Sequence, residues 1–527
     1  MENDQEVYYN ISEESKNKSE IYKNLKNSKN DSPLMDALIN SYGYSFNHYK
    51  TILFTCLILF LDGIHMTLLN STFIPFREYY ELTDTQVSLI SSTMFIAVGC
   101  GSLLTVFPNL VGKRVNAIIR YTFIMFLSNL LLGLIPYLIM FILFRFIIGI
   151  SIGVILPLII NILCESLPLK NRSLTMIFCG VFFGFGATFV NLLMIILTPN
   201  LEKEGIYSVY LYTSIAPILS SIVFYFKLED SPRSLILDEC EEEAMKILQK
   251  MIDKKLTQKE IETIINETKY RANKISDEKL SLLFEGEFKK ITIILIIIWM
   301  FNSYLAYGGT ITFGLVIDYM QKMNKENNPS QIVEKDNHSI ITEQILVYLV
   351  SSPGSFLAGF MTEIEFFGRK ITTLIGFLFV AIFASLGLFD LNNFAIYFSI
   401  SGFFISFSFN ASGSYSSEVY PTKLRNIGVG FLNFCNRVSG FLSQFIAVQL
   451  FKVHYLLQIY FSIIICLIAC FITYLLPYDT HGRLLDSHDL SNDNIENNDN
   501  KSQKGKERNV ESVSVVGIEL KNKNSIR

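Results

Sequence analysis

The sequence predicts an all-α membrane protein of twelve transmembrane helices, arranged as two pseudo-repeated bundles of six helices each. Three observations support this fold class. Charged residues make up only 17% of the 527 residues, whereas soluble proteins usually carry about 25%. The mean hydropathy is +0.36, and long apolar runs follow one another along the chain. Short motifs of the first half also recur in the second half.

Twelve apolar runs are long enough to cross a bilayer as helices, which takes about 20 residues. Backbone groups in lipid must be satisfied within the segment, so we expect each run to be helical. The runs lie at 50–74, 86–108, 115–135, 137–165, 174–198, 207–228, 291–317, 341–362, 371–389, 392–417, 427–451 and 454–476. They form predicted bundles at 50–228 and 291–476, separated by a charged loop at 229–290. The polar tails, 1–49 and 477–527, are expected to be disordered.

Lysine and arginine in the short loops predict the orientation. They cluster on the side of the polar N-terminal tail, at Lys113, Arg114, Lys170, Arg172, Arg369, Lys370, Lys423 and Arg425. Both tails and the central loop are therefore expected in the cytoplasm, and the loop 319–340 outside. That outer loop contains a candidate N-glycosylation site at Asn337. Within the central loop, apolar residues at helical spacing predict an amphipathic helix around Cys240–Asp253.

Two motifs recur at nearly the same offset between the halves. Glu165-x-x-Pro168-x-x-x-Arg172 returns as Glu418-x-x-Pro421-x-x-x-Arg425, and Gly112-Lys113-Arg114 returns as Gly368-Arg369-Lys370. Parallel six-helix repeats with a binding site between them are one architecture of membrane transporters.

These motifs resemble those of the major facilitator superfamily, in its sugar-porter and organic-ion-transporter branch. The resemblance covers about 50–485 and also includes Arg145-Phe146-x-x-Gly149-x-x-x-Gly153, Asp230-Ser231-Pro232-Arg233, Tyr415-x-x-Glu418-x-x-Pro421-Thr422-x-x-Arg425 and Leu476-Pro477-Tyr478-Asp479-Thr480-His481-Gly482-Arg483. It implies the major facilitator fold and the movement of a small molecule across a bilayer by alternating access, by a monomer without a cofactor.

The sequence departs from the family pattern at three places. Asn109 stands where the family usually has an aspartate before its glycine and basic pair, although Glu365 keeps a carboxylate at the equivalent place in the second half. The fifth span lacks the paired glutamines of sugar carriers. The seventh has Asn302, Tyr304 and Tyr307 in place of its own pair. A hexose is therefore a less favoured substrate.

Charged residues near the bilayer midplane are the main candidates for substrate or proton binding, because a charge there is costly unless it is paired or functional. Asp62 lies about twelve residues into the first span, with His65 one turn later. Asp62 is expected to be a proton carrier, a substrate contact or a buried packing residue. Arg437 lies in the eleventh span beside Asn433 and Asn436. Arg437 is expected either to bind an anionic substrate or to pair with Asp62 or another acidic residue.

A second group of candidates lies at helix ends. The cytoplasmic helix ends are expected to carry Glu165, Arg172, Glu418 and Arg425. These residues either form a gate of breakable ion pairs or only cap helices and anchor loops. The same predicted gate includes Glu365 and Arg369. Arg145 is expected to be structural first, or to close an external gate with Asp62 or Glu343. Further candidates for lining the cavity are Asn302, Tyr304, Tyr307 and Gln344.

The remaining patterns argue against other function classes. The net charge of −4 disfavours a nucleic-acid binder. The sequence has no nucleotide-binding glycine loop, no His/Cys cluster with metal spacing and no catalytic constellation, so an enzyme is not expected. The favoured hypothesis is a proton-coupled carrier of an organic anion, such as pantothenate or another metabolite. A facilitative sugar or polyol carrier and a non-transporting sensor or scaffold are the alternatives. The plasma membrane is the expected location, with an organelle membrane as the alternative.

The predicted topology is testable by cysteine accessibility in intact cells. A Glu260→Cys variant should react with an impermeant thiol reagent only after the cells are permeabilised, because the central loop is expected to be cytoplasmic. Labelling of that cysteine in intact cells would contradict the predicted orientation.

Overall fold

The computed structural model describes residues 34–481, apart from 73–75, 78, 136, 169–171, 199–204, 254, 275–279, 311–312, 314, 317–318, 320–336 and 391–392. Within this described part the chain contains helices and no strands. The predicted all-α fold class is therefore confirmed.

Twelve long helices, labelled α1 to α12, account for the two bundles. Their bounds are Phe46–Ser71, Asp84–Leu104, Arg114–Leu134, Leu138–Ser166, Arg172–Leu197, Gly205–Lys227, Gly286–Gly308, Asn337–Glu363, Gly368–Phe389, Phe394–Val419, Thr422–Val453 and Leu457–Tyr474. Ten of the helices in the described chain are long and apolar enough to cross a membrane. The other two are α2, whose apolar part is the shorter Leu89–Leu104, and α11, which carries several of the polar candidates.

The packing of the helices separates the two bundles and defines their interface. In the first bundle α1 packs on α5, and α2 and α3 pack on α4. In the second bundle α7 packs on α11, α8 and α9 pack on α10, and α9 also packs on α12. Contacts between the bundles come mainly from α5 with α8 and from α2 with α11. Groups on α1 and α11 can therefore meet between the bundles.

Glycines allow some of these helices to approach closely. Gly101 of α2 faces Gly153 of α4, and a Cβ atom at Gly153 would collide with the backbone carbonyl of Val98. Gly186 of α5 lies in the same way against the carbonyl of Phe60 in α1. Small residues at such crossings permit backbone-to-backbone packing, which contributes to helix association where no hydrophobic force acts between helices.

A small helical layer lies beside the ends of the bundles that carry Glu165 and Glu418, which we call the gate end. It consists of Leu34–Tyr42, Pro232–Leu237, Glu241–Ile252 and Gln258–Lys274, which share one apolar core. The predicted amphipathic helix of the central loop is thereby confirmed. An ion pair joins Asp36 to Arg233.

The N-terminal tail is ordered further than the sequence predicted. Residues 34–49, which were assigned to a disordered tail, include the helix Leu34–Tyr42 and the start of α1. This segment is ordered because it has a short apolar face, formed by Met35, Leu38 and Ile39, which is buried in the core of the helical layer. Residues 1–33 lie outside the described part of the chain.

The close crossing of α2 and α4 generates a prediction about stability. Gly153→Ala should lower the melting temperature of the purified protein and cost about 1–3 kcal/mol, because the new methyl group meets backbone that cannot rotate away. Gly309→Ala is the matched control, since its Cβ would meet only Phe398 ring atoms at 3.5 and 3.6 Å. Equal melting temperatures for the two variants would contradict the close crossing.

Candidate functional site

Two cavities lie between the bundles. The outer cavity has a volume of about 210 Å³ and is lined by residues such as Thr67, Thr310 and Tyr348. The inner cavity has a volume of about 160 Å³ and extends towards the gate end, where Leu163 and Ser417 line it. Six residues line both cavities: Leu59, Asp62, Gly180, Phe409, Asn410 and Arg437. These six therefore mark the boundary between the two cavities.

An ion pair between Asp62 and Arg437 crosses from one bundle to the other at this boundary. The closest oxygen and nitrogen atoms are 3.7 Å apart, and the two residues are 4% and 3% exposed. Asp62 belongs to α1 and Arg437 to α11. Among the described residues that line either cavity, these two are the charged ones. The cavities thus contain one positive and one negative charge, which balance each other.

A tyrosine completes the environment of Arg437. The Arg437 guanidinium donates a hydrogen bond of 2.8 Å to the Tyr307 hydroxyl. Tyr307 lies in the last turn of α7, Tyr304–Gly308, which is a π-helix. Such turns are rare and are frequent at functional sites. Asp62 is less well satisfied, because its Oδ1 atom has no hydrogen-bond partner in the described structure.

The two asparagines predicted beside Arg437 line the inner cavity. Asn433 donates a hydrogen bond of 2.6 Å to the Ser102 hydroxyl of α2, and so it also joins the two bundles. Asn436 is 1% exposed, and its Oδ1 atom has no hydrogen-bond partner among the described residues. That oxygen is available to accept a hydrogen bond from a bound solute.

Three predicted site residues lie away from both cavities. His65 is three residues after Asp62, which rotates its side chain by about 60° around the helix, and its backbone carbonyl faces α4. Asn302 is held by two serine hydroxyls of α10, at 2.7 and 3.0 Å. Tyr304 donates a hydrogen bond of 2.6 Å to Gln458 of α12. The structure corrects their assignment to the cavity wall, because Asn302 and Tyr304 join helices within the second bundle.

The predicted pairing of Arg145 with Asp62 is also corrected. Arg145 donates a hydrogen bond of 3.4 Å to the backbone carbonyl of His65, and its side chain has Tyr210 as a further partner. These contacts lie within the first bundle and join α4 to α1 and α6. They favour the structural role for Arg145. The alternative partner Glu343 has a side chain outside the described structure, as have the candidates Gln344 and Asn337.

At the gate end, Glu165 lies between two arginines. Arg114 of the same bundle is 2.9 Å from one carboxylate oxygen, and Arg425 of the second bundle is 3.7 Å from the other. The Ser231 hydroxyl also donates to this carboxylate. Burial raises the pKa of the neighbouring Asp230 to about 6, although the charge of Arg114 opposes the shift.

Glu418 repeats this arrangement with the bundles exchanged. Arg369 of its own bundle is 3.1 Å away, and Arg172 of the first bundle is 3.6 Å away. Each glutamate therefore binds one arginine from its own half and one from the other half. The cross-bundle pairs, Glu165 with Arg425 and Glu418 with Arg172, join the two bundles at this end.

Arg114 and Glu363 take part in the contacts at the gate end, although the sequence patterns did not single them out. Arg114 was counted only as a loop charge, although its position in the repeated Gly112-Lys113-Arg114 motif is a signal that points to the gate. The candidate Glu365 is exposed in the turn between α8 and α9. Glu363 lies at the gate in its place, 3.6 Å from Arg369, and accepts a hydrogen bond from the backbone of Leu174 in α5.

The start of the C-terminal tail positions Arg369. The Asp479 carboxylate accepts hydrogen bonds from the backbone N–H groups of Arg369 and Lys370, at 3.1 and 2.7 Å, and so caps the first turn of α9. The Arg369 guanidinium donates a hydrogen bond of 2.6 Å to His481. Residues 477–481, which were predicted to be disordered, are therefore packed against the second bundle.

Comparison with known proteins identifies the family of this chain. The family model described as "Sugar (and other) transporter" matches residues 37–490. The synaptic vesicle 2-related protein of Xenopus laevis is 24% identical, over 88% of this chain and 84% of that protein. The organic cation/carnitine transporter 7 of Arabidopsis thaliana is 24% identical, over 80% of this chain and 89% of that protein. The niacin transporter NiaP of Acinetobacter baylyi is 22% identical, over 84% of this chain and 96% of that protein.

Solved structures show the same fold. The proton:xylose symporter XylE bound to 6-bromo-6-deoxy-D-glucose has a TM-score of 0.68 at 17% identity, over 84% of this chain and 98% of that chain. The inward open conformation of XylE from E. coli has a TM-score of 0.61 at 15% identity, over 84% of this chain and 98% of that chain. The family match extends over most of the sequence. This multi-pass membrane protein therefore belongs to the sugar (and other) transporter family and has the major facilitator fold, and it is a transporter rather than an enzyme.

Proposed function

We propose that this protein is a secondary active transporter that moves a small organic anion together with a proton by alternating access. The observation that carries the proposal is the Asp62–Arg437 ion pair, which links the two bundles at the boundary between the outer and inner cavities. A substrate that reaches this boundary from either cavity meets the same two charges.

Arg437 accounts for the anionic substrate. Arginine keeps its charge when buried, and its planar fork matches the two oxygens of a carboxylate. In this structure Arg437 has only a loose contact with Asp62 at 3.7 Å and a hydrogen bond to Tyr307. A substrate carboxylate with bidentate geometry would compete for the guanidinium and displace Asp62.

Asp62 accounts for the proton. Once a substrate carboxylate binds Arg437, an ionised Asp62 would remain as an uncompensated buried charge, which is strongly unfavourable. Uptake of a proton by Asp62 removes that charge. Anion and proton then enter together, and the loaded cavity stays neutral. This arrangement supports symport.

The gate end supports the alternating-access part of the proposal. Opening of the inner cavity to the cytoplasm requires the cross-bundle pairs of Glu165 with Arg425 and of Glu418 with Arg172 to separate. Both pairs are long, at 3.7 and 3.6 Å, whereas the pairs within each bundle are shorter, at 2.9 and 3.1 Å. Each bundle can thus keep its own pair as a unit while the cross-bundle pairs break.

The relatives narrow the choice of test substrates. Niacin and carnitine, which appear in the names of two relatives, both carry a carboxylate. Pantothenate is a further carboxylate vitamin to test. A buried charge pair favours such substrates over the uncharged sugar of a facilitative carrier. We place the protein in the plasma membrane as a monomer; the synaptic vesicle relatives make an organelle membrane the alternative to examine.

The roles of Asp62 and Arg437 generate one prediction. In proteoliposomes with a pH gradient, Arg437→Ala should abolish the uptake of whichever of labelled niacin, carnitine and pantothenate the unmodified protein transports, and Arg437→Lys should weaken it because a point charge replaces the fork. Asp62→Asn resembles the protonated acid, so it should lose pH-driven accumulation and keep counterflow exchange.

The double variant Asp62→Asn/Arg437→Ala serves as the control for a purely structural ion pair. If the pair only stabilises the fold, either single change leaves a buried charge without its partner, and the double variant should recover expression and some uptake. Recovery of uptake in the double variant, or intact pH-driven accumulation in Asp62→Asn, would contradict the proposed division of roles.

The gate generates a second prediction. Each of three single changes, Glu418→Gln, Arg172→Ala and Arg425→Ala, should lower the initial uptake rate strongly and the melting temperature only slightly. The reason is that a loss of about 1.4 kcal/mol changes the equilibrium between the inward-open and outward-open states tenfold. Glu418 and Arg172 form one ion pair, so the double variant of these two should cost less than the sum of the single variants.

The matched control is the double variant of Glu418 and Arg425, whose ion pairs belong to different glutamates. Its effects on initial uptake rates should be closer to additive than those of the Glu418 and Arg172 pair. Full additivity for Glu418 with Arg172 would contradict a latch made from that cross-bundle contact.

A further inference from the structure

We infer that the substrate carries hydrogen-bond donors, such as hydroxyl, amide N–H or ammonium groups, at the end away from its carboxylate. This inference rests on the proposed function and specifies the substrate class of the same site. It follows from the hydrogen bonds already made by the polar side chains that line the cavities, because those bonds leave mostly acceptors for a bound molecule.

Three serine and threonine hydroxyls of the outer cavity have already used their single proton, whereas the Tyr307 hydroxyl accepts from Arg437. Ser351 and Ser352 of α8 donate to the carbonyls of Val347 and Tyr348, at 2.7 and 2.9 Å. Thr310 of α7 donates to its own helix in the same way, at 2.8 Å. A hydroxyl has one donor and two acceptor lone pairs. These side chains therefore offer lone pairs, and not protons, to the cavity.

Asn410 shows the same polarity at the boundary between the cavities. Its amide nitrogen donates to the Ser355 hydroxyl at 2.9 Å and to the Ser406 carbonyl at 2.8 Å. The Ser406 carbonyl can only accept, which fixes the orientation of the amide. Both N–H groups are used, and the remaining oxygen faces Gly180 of α5, where a Cβ atom would collide with it. The oxygen thus occupies the position that a side chain at residue 180 would need, and it can accept a hydrogen bond at the boundary of the cavities.

Three hydroxyls of the inner cavity repeat the pattern, and the exception is Ser414, whose hydroxyl has no hydrogen-bond partner among the described residues. Thr55 and Ser417 donate to carbonyls of their own helices, at 3.0 and 2.9 Å. Ser416 donates to a carbonyl at 2.7 Å and accepts from the indole of Trp299 at 2.8 Å. Asn436 contributes its unpartnered oxygen. Arg437 is the principal donor at the boundary, and its natural ligand is the carboxylate.

This distribution of donors and acceptors discriminates between carboxylates. A purely aliphatic tail would cover the acceptors without replacing the water that they bind, which leaves buried polar groups unsatisfied. A tail with O–H or N–H groups would satisfy them. Recognition of both ends also explains how cavities with a single fixed pair of charges can select one organic anion among many.

Three carboxylates of six carbons test the inference: hexanoate, gluconate and 6-aminohexanoate. Binding to the purified full-length protein is measured from the rise in melting temperature during titration. Gluconate, 6-aminohexanoate or both should bind at least about tenfold more tightly than hexanoate, because several hydrogen bonds are gained. The comparison of hydroxyl with ammonium tails identifies the preferred donor.

Variants without the acceptors should lose this preference. Asn410→Leu, which is close in size, and Ser352→Ala should each bring gluconate or 6-aminohexanoate to within about threefold of hexanoate. Ser352→Ala keeps the test valid if Asn410→Leu does not fold. Equal or tighter binding of hexanoate to the unmodified protein, an unchanged preference in a folded variant, or no binding of any of the three would overturn the inference.

Arg437→Ala separates this inference from the proposed function. If hexanoate binds as well as the other two and all binding is lost in Arg437→Ala, the donor-bearing tail is refuted and the carboxylate site stands. If gluconate binds Arg437→Ala with unchanged affinity, the carboxylate site itself is refuted.

Discussion

The pairing of Asp62 with Arg437 inside a bilayer is the constraint on which the rest of the site depends. A lone charge at this depth is costly, so each residue requires a partner in every state of the protein. Because Asp62 belongs to the first bundle and Arg437 to the second, the requirement becomes a mechanical link between them. Any partner that replaces Asp62 on Arg437 changes the contact between the bundles.

The gate end uses the same chemistry, since Glu165, Arg172 and Arg425 are also buried, at 2%, 3% and 0% exposure. Removing one partner of a buried ion pair is strongly unfavourable. Two glutamates related by the internal repeat each hold one arginine of their own bundle and one of the other bundle. The repeat therefore supplies two equivalent cross-bundle contacts at this end, Glu165 with Arg425 and Glu418 with Arg172. In the proposed mechanism, the central pair determines when the bundles can separate, and the cross-bundle contacts determine which side opens.

Sequence patterns predicted the helices and the charged residues of the site, but not every contact. The fold class follows from hydrophobic length, and the gate follows from a repeated motif that needs no coordinates. Helical periodicity predicted only approximately which way His65 and Tyr304 face. Successive residues of a helix are rotated by about 100°, so a small error in that direction decides whether a side chain meets a cavity or a neighbouring helix. Glu363 was missed in favour of Glu365 because α8 ends at Glu363, which lies beside Arg369, whereas Glu365 is exposed in the turn that follows. Tyr307 reaches Arg437 within a π-turn that no residue pattern announces.

Infrared difference spectroscopy on binding of niacin, carnitine or pantothenate tests the central claim most directly. If a substrate carboxylate displaces Asp62 and a proton neutralises it, the spectrum of the unmodified protein should gain the C=O stretch of a protonated carboxylic acid. That band should be absent in Asp62→Asn. Binding of a carboxylate substrate without this band would contradict the account, and so would a band that persists in Asp62→Asn.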